Sequence, residues 1–397
     1  MPPQYDVLVA GHICLDLIPA LPPAAPGRIQ DLIVPGKLIH AGALTISTGG
    51  PVSNTGLALR RLGLSVRLAA KIGDDPVGRE VLRRLGAGEG VRPVPGEQTA
   101  YTIVIAPPGL DRCFLHHPGA NDTFGAGGID YDLAAGARVF HLGYPPVMRR
   151  LWEDGGEQLV EIFRRVKGLG VTTSLDMALP DAGGPSGQVD WDALCRSVLP
   201  HVDLFLPSAE ELLYMLDRER FAELTAGAGG RELLDVIEAA DVRRTAERAL
   251  SYGPAVVGVK CGRKGMYLRT AGRERLASMG VCPPADPDNW ADRELWEAAF
   301  RVERVASATG SGDSCIAGFL AAYVRGGTAE RTLRFACAVG ACNVTAVDAL
   351  SGIRTADETQ ARIDAGWAKA PLALPGADWR PAAVPGLHLG RNDRAFA

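Results

Sequence analysis

Short runs of apolar residues alternate along this chain with segments whose apolar positions recur at helical spacing. Val7–Ala10 reads as a strand buried on both sides, Pro51–Leu62 as a helix stopped by Gly63, and Val66–Ile72 as a second strand leading to a helix at Gly78–Leu85. Tyr101–Ala106, Val139–Leu142, Val171–Asp176, Asp203–Leu206 and Ala255–Lys260 repeat the strand signal. Arg149–Lys167, Ala209–Leu216 and Arg231–Leu250 repeat the helical one. Strands and helices alternating at these lengths imply right-handed βαβ units and an α/β fold with a mostly parallel sheet. In such sheets ligands bind outside the carboxyl ends of the strands.

Two stretches break the rhythm. Leu17–Thr48 and Pro107–Gly128 are rich in Pro, Gly and β-branched residues and lack a helical period. They read as strands and loops of a flap over the sheet, with lid segments at about 17–48 and 97–128 inside a single domain spanning 1–370. Pro371–Ala397 has no period and reads as an extended tail.

Composition narrows the function. The 397 residues are 47% hydrophobic and 22% charged, which is ordinary for a globular protein. A net charge of -4 disfavours a general nucleic-acid or anionic-membrane binder. The eight cysteines form no CxxC pair and sit mainly in apolar stretches, as buried free thiols in a reducing compartment do. Met1–Asp6 shows no basic stretch followed by an apolar core, and no apolar run approaches the ~18 residues needed to span a bilayer. A cytoplasmic protein with a small-molecule substrate is expected, without nucleic-acid or membrane partners.

The segment with the most chemistry is Ala308-Thr309-Gly310-Ser311-Gly312-Asp313-Ser314, which runs into an amphipathic helix carrying Ile316, Phe319, Leu320, Tyr323 and Val324 on one face. Small residues at a helix N-terminus let backbone N–H groups approach an anion, and the helix dipole adds to the attraction. Asp313 is either a cap of that helix or a base that accepts the proton of an attacking hydroxyl. Gly49-Gly50-Pro51-Val52-Ser53-Asn54 also enters a helix; it is a tight turn or a site presenting N–H groups and an amide to a hydroxylated ligand. Asp16, beyond the first strand, is a turn residue or a ligand of sugar hydroxyls. The chain contains no G-x4-G-K-[ST], HExxH or GxSxG. The seven histidines lack metal-ligand spacing, and His116-His117 reads as loop surface.

Together these segments resemble the PfkB family of carbohydrate and nucleoside kinases, from about Val7 to about Ala349. The family pattern D-T-x-G-A-G-D stands here as Ser307-Ala308-Thr309-Gly310-Ser311-Gly312-Asp313, and Asp16, Gly49-Gly50, Asn54 and Gly73-Asp74 match its N-terminal pattern. Gly119-Ala120-Asn121 is similar to its sugar-side G-A-N, Ser208-Ala209-Glu210-Glu211 to its N-x-x-E, and Lys260-Cys261-Gly262-Arg263-Lys264-Gly265 to its nucleotide-side strand and turn. The resemblance implies a ribokinase-like three-layer α/β/α fold with a small β lid, and ATP with Mg²⁺ as cofactors. It implies Asp313 as base, with Gly310, Ser311 and Gly312 as an anion hole. Asp16, Gly49, Gly50, Asn54 and Asn121 would hold a sugar or polyol. Ser208, Glu211, Lys260, Gly262, Gly265, Thr309 and Asn343 would serve the nucleotide, with Glu211 acting through Mg²⁺ and Asn343 near the adenine. A nucleoside kinase and a catalytically impaired sugar-binding or regulatory relative are the alternatives. A homodimer through the lid is common in the family. Ser307 replaces an Asp that helps relatives hold a monovalent cation, and Ser208 replaces an Asn; both weaken oxygen ligation near the phosphates.

Overall fold

A computed structural model describes residues 2–23, 33–86, 90–108, 113–374 and 376–396. Residues 24–32 and 109–112, parts of the expected lid segments, lie outside the described residues. The first strand, β1 (Tyr5–Gly11), shows how the layers arise. Side chains alternate across a strand. Val7 and Val9 therefore join one apolar cluster with Leu59, Leu68, Phe319 and Leu333. Leu8 and Ala10 join another with Phe140, Leu142, Phe163 and Leu213. A strand apolar on both faces needs helices on both faces, so β1 sits near the middle of a sheet between two helical layers.

The remaining strands of the first half are β2 (Cys14–Pro19), β3 (Leu44–Gly49), β4 (Val66–Gly73), β5 (Val91–Val94), β6 (Tyr101–Ile105), β7 (Cys113–His117) and β8 (Ala137–Gly143). The second half adds β9 (Thr172–Leu175), β10 (Leu204–Phe205), β11 (Val256–Lys260), β12 (Met266–Thr270), β13 (Glu294–Glu297), β14 (Trp379–Pro381) and β15 (Leu387–Gly390). The large sheet has the order β14-β15-β13-β12-β11-β10-β9-β8-β1-β4-β5. Pairing is parallel from β11 through to β5 and antiparallel from β11 to β14. The fold is thus α/β with a mostly parallel sheet. Among the described residues no helix is long and apolar enough to cross a membrane.

A second sheet, ordered β3-β2-β6-β7, takes part of each irregular stretch: β3 and the end of β2 from the first, β7 from the second. Its register sets Asp16 opposite Ser47 and Thr102, and Thr102 opposite His116. Directly opposed residues share a face, so Ser47, Asp16, Thr102 and His116 form one row across it.

The C-terminal segment departs from the expected extended tail. β14 and β15 pair with each other, and β15 pairs with β13, finishing the large sheet. Trp379 packs edge-on against Trp296 and Tyr267. A buried ion pair, Arg293–Asp393 at 2.9 Å, and a partly exposed one, Arg243–Asp378 at 2.8 Å, fasten the segment down. The physical reason is that β13 would otherwise end the sheet as an unpaired apolar edge. Helix starts are also later than the periodicity implies: residues 149–156 form tight 3₁₀ turns, and the helix proper runs Glu157–Gly168.

Candidate active site

Four strand ends meet at one edge of the parallel sheet. His12 follows β1, Tyr144 follows β8, Asp176 follows β9, and Lys260 ends β11. The helix Ser311–Val324 begins over the same edge, with Gly310 as its N-cap at φ 71°. Only glycine adopts that left-handed backbone without strain, and a Cβ there would also lie 2.5 Å from that of Ala349. Asn343 is fully buried and donates from Nδ2 to the Ala349 carbonyl at 2.6 Å. It therefore braces the loop behind Gly310, while its Oδ1 has no partner among the described residues. Thr309 precedes the turn, its N–H donating to Ser307 Oγ at 3.1 Å while that hydroxyl donates to Thr309 Oγ1 at 2.9 Å.

Asp313 lies in the first turn of this helix and is 2% exposed. Its Oδ2 accepts from Asn54 Nδ2 at 3.0 Å and from the Tyr144 hydroxyl at 2.9 Å. Its Oδ1 accepts from Thr55 Oγ1 at 3.3 Å. Burial raises the carboxyl above the usual range, against the pull of the Asn54 hydrogen bond and the Lys260 charge. Asp313 is not the helix cap: Gly310 holds that position, and the carboxylate points across to the helix Pro51–Arg61.

Lys260 forms a buried ion pair with Asp176, and the helix Ala209–Leu216 brings Glu211 into the same field. The carboxylates of Asp176, Glu211 and Asp313 hold the ammonium above its ordinary pKa despite burial. Burial raises the Asp176 and Glu211 carboxyls in turn. Asp176 Oδ2 has no hydrogen-bond partner among the described residues. Ser208 caps the Glu211 helix: its Oγ accepts from Glu211 N at 3.3 Å, and its own N–H donates to Glu211 Oε2 at 2.7 Å. Ser208 also bridges to Lys260 in the strand direction. A methyl added at Gly312 would come within 3.9 Å of Lys260 Nζ, so the ammonium borders the Gly310-Ser311-Gly312 turn. Gly262 and Gly265 form the turn after β11, closed by Cys261 N donating to Gly265 O at 2.8 Å.

On the other side, Asp16 projects from β2 over Gly49, where any side chain would collide with its carboxylate. Its Oδ1 accepts from the Cys14 thiol at 3.3 Å, and burial raises its pKa. Gly50, at φ 83°, leaves no room for a Cβ against His12 and accepts the N–H of Asn54 at 2.8 Å. Asn54 Oδ1 has no partner among the described residues. Asn121, the expected sugar ligand, is buried beside the β1–β2 turn. Its Nδ2 donates to Ile13 O at 2.9 Å and its Oδ1 accepts from Ile13 N at 3.2 Å, so it clamps that turn with one N–H and one lone pair.

The rings around the site escaped the sequence reading. His116 is exposed but lies on the strand β7 rather than on a loop; its Nδ1 meets Thr102 Oγ1 at 3.0 Å and its Nε2 meets His12 Nε2 at 3.5 Å. Desolvation depresses both imidazoles, His12 to about 3. Asp176 carried a legible signal, a carboxylate just past the carboxyl end of a strand. Tyr144 carried none. Among the described residues no group of three or more His, Cys, Asp or Glu converges as a ready metal site.

Comparison with known proteins follows the same outline. The model of the pfkB family carbohydrate kinases matches residues 6–356. An uncharacterized sugar kinase of Archaeoglobus fulgidus is 25% identical over 302 residues, which are 75% of this chain and 98% of that protein. Among solved structures, Arabidopsis thaliana ribokinase complexed with ribose and ATP superposes with a TM-score of 0.65 at 20% identity, over 91% of this chain and 98% of that one. A nucleoside kinase of Methanocaldococcus jannaschii superposes with a TM-score of 0.62 at 18% identity, over 92% and 100% of the two chains. At these identities the structural likeness speaks for the fold.

Proposed function

The chain belongs to the PfkB family and is an ATP-dependent carbohydrate kinase; on that premise we propose that it moves the γ-phosphate of ATP to a hydroxyl of a sugar or sugar-like polyol, with Asp313 as general base. The observation that carries this reading is a single buried carboxylate at the first turn of a helix whose entry is Gly310-Ser311-Gly312, with Lys260 alongside. The N–H groups of that turn would stabilise charge on the transferring group. A raised carboxyl pKa brings the base closer to working pH, which favours proton acceptance.

Mg²⁺ fits this chemistry. Three carboxylates face one ammonium, and one buried anionic oxygen of Asp176 lacks a partner among the described residues. Glu211 would hold the ion through its waters, since Mg²⁺ prefers few protein ligands beside phosphate oxygens. When bound, it neutralises phosphate charge. Thr309, Ser208, Lys260, Gly262 and Gly265 would line the nucleotide side. Asp16 and the free Oδ1 of Asn54 would take acceptor hydroxyls, with Gly49 and Gly50 keeping the floor open. The second sheet would act as a lid over the acceptor within one kinase domain. Leu44, Phe114 and Leu115, each about half exposed at 53%, 52% and 55%, fit a homodimer through that lid. The expected compartment is the cytoplasm.

A nucleoside acceptor is the second reading, and one observation favours it. Phe114 and His116 on β7 share the face of the second sheet that carries Asp16, and His116 approaches His12 to 5.3 Å between ring centres. Such rings suit stacking on a planar base. Steady-state ATP turnover over a panel of sugars, polyols and nucleosides decides between the readings. Phosphorylation of sugars alone supports the first and of nucleosides alone the second. No turnover with any acceptor, at saturating ATP and Mg²⁺, would leave a binding or regulatory relative.

Ser307 yields a separate prediction. Its hydroxyl is engaged by Thr309 and brings no negative charge. A monovalent cation that an Asp would help bind should hold weakly here. The rate is expected to stay flat when potassium replaces a bulky organic cation at constant ionic strength, and to become potassium-sensitive in Ser307→Asp. Several-fold potassium activation of the wild type would refute this.

A further inference from the structure

Tyr144 is one of three non-glycine residues with positive φ among the described residues, at φ 69° and ψ 42°. A bulky residue is rarely held in the left-handed region, and such outliers gather at active sites. Here the cause is visible. The chain leaves β8 at Gly143 and enters the turn Pro145–Val147, whose prolines fix the exit direction. The left-handed residue turns its side chain back over the strand ends, and the phenol reaches Asp313 Oδ2 at 2.9 Å. A straight continuation of β8 would send the ring elsewhere.

We infer that Tyr144 is a positioning residue for phosphoryl transfer: its phenolic O–H, with the amide of Asn54, occupies Oδ2 of Asp313 and leaves Oδ1 as the oxygen that meets the acceptor hydroxyl. The inference rests on the reading of Asp313 as base. An ionised carboxylate offers about four lone-pair sites. Oδ2 spends both of its sites on donors at 2.9 and 3.0 Å, whereas Oδ1 spends one on Thr55 at a longer 3.3 Å. The phenol stays protonated, since burial and the neighbouring carboxylates push its pKa far up. It is therefore a donor across the working range and stabilises the ionised form of Asp313. Other charged and titratable groups face Asp313 or Tyr144 from separate elements. Lys260 on β11 favours the carboxylate, Asp176 after β9 and Glu211 on its helix oppose it, and His12 after β1 lies against the Tyr144 ring, at 6.2 Å between centres, as a neutral group.

Tyr144→Phe keeps the ring and removes the donor. Hydrogen bonds to charged groups are strong enough that their loss raises a carboxyl pKa by about one unit. The acidic limb of the kcat–pH profile should then move up by about one pH unit, and plateau kcat should fall several-fold. KM for ATP should stay within about two-fold, and the unfolding midpoint should be nearly unchanged. A packing role alone, which the retained ring preserves, would leave both the limb and kcat unmoved. An unmoved limb in a folded Tyr144→Phe overturns the inference. Should that variant fold poorly, Tyr144→His, which restores a ring donor, supports the inference if it brings the limb back towards wild type and overturns it if its limb matches Tyr144→Ala. Asp313→Asn separates the two readings: an active Asp313→Asn removes the premise itself, whereas an inactive one beside an unmoved Tyr144→Phe limb sinks only the role of Tyr144.

Discussion

Asp313→Asn is expected to lower kcat by about 10²–10⁴, the usual contribution of a positioned general base, while the protein stays folded and ATP affinity changes little. The local hydrogen bonds explain why the fold survives. Asn can point its carbonyl oxygen to the Oδ2 position and keep the Asn54 and Tyr144 donors. Its NH₂ then falls at the Oδ1 position, where the Thr55 hydroxyl can rotate from donor to acceptor. The substitution also removes one of three carboxylates crowded around Lys260. Like charges in a buried site raise one another's cost, so the unfolding midpoint should hold or rise. The pairing of lost turnover with retained stability distinguishes chemistry from damage. Steady-state kinetics on the accepted substrate and denaturant unfolding give both values, and near-wild-type kcat would exclude Asp313 as base.

The parts of this molecule legible in its sequence are those fixed by local pattern. Val7–Ala10 is continuous in apolar residues because β1 is covered on both faces. The turn Thr309–Asp313 is legible because a glycine-rich helix entry has few other uses. The site residues that escaped depend on tertiary geometry. Tyr144 matters through a backbone angle that nothing in Gly143-Tyr144-Pro145 announces. His116 looked like loop because β7 is short, half-exposed and flanked by Pro118. Asn121 carries the expected motif, but its clamp on Ile13, a contact 108 residues away in sequence, is not legible there. β14 and β15 are short and bounded by Pro and Gly; they become strands because the β13 edge is there to pair with. Propensity could not reveal that, since β preference is largely a matter of what the strand packs against.

Lys260→Met is expected to cost about 3–5 kcal/mol of stability at neutral pH, the usual price of removing one partner from a buried ion pair. Lys260 is the shared counter-charge of Asp176 and Glu211, and burial already raises both carboxyls while it is present. Without it their folded pKa values move further up, and the sign of the pH dependence follows. A carboxyl whose pKa is higher folded than unfolded keeps a proton in the fold that the open chain releases. Its contribution is therefore fully present below the unfolded pKa of about 4 and is lost as pH rises through the folded value. The variant should be more stable at about pH 5 than at about pH 8, more steeply so than wild type. Adding Asp176→Asn removes the orphaned charge and should restore most of the stability at neutral pH, because deleting both partners of a buried pair costs far less than deleting one. Turnover should not return with it, since the ammonium beside Gly312 is still missing. Denaturant unfolding of wild type and both variants across that pH range, with kinetics at its centre, tests each step. A single variant as stable as wild type at every pH would mean that solvent reaches the carboxylates or that they take up a proton without cost, and that Lys260 is dispensable to the fold.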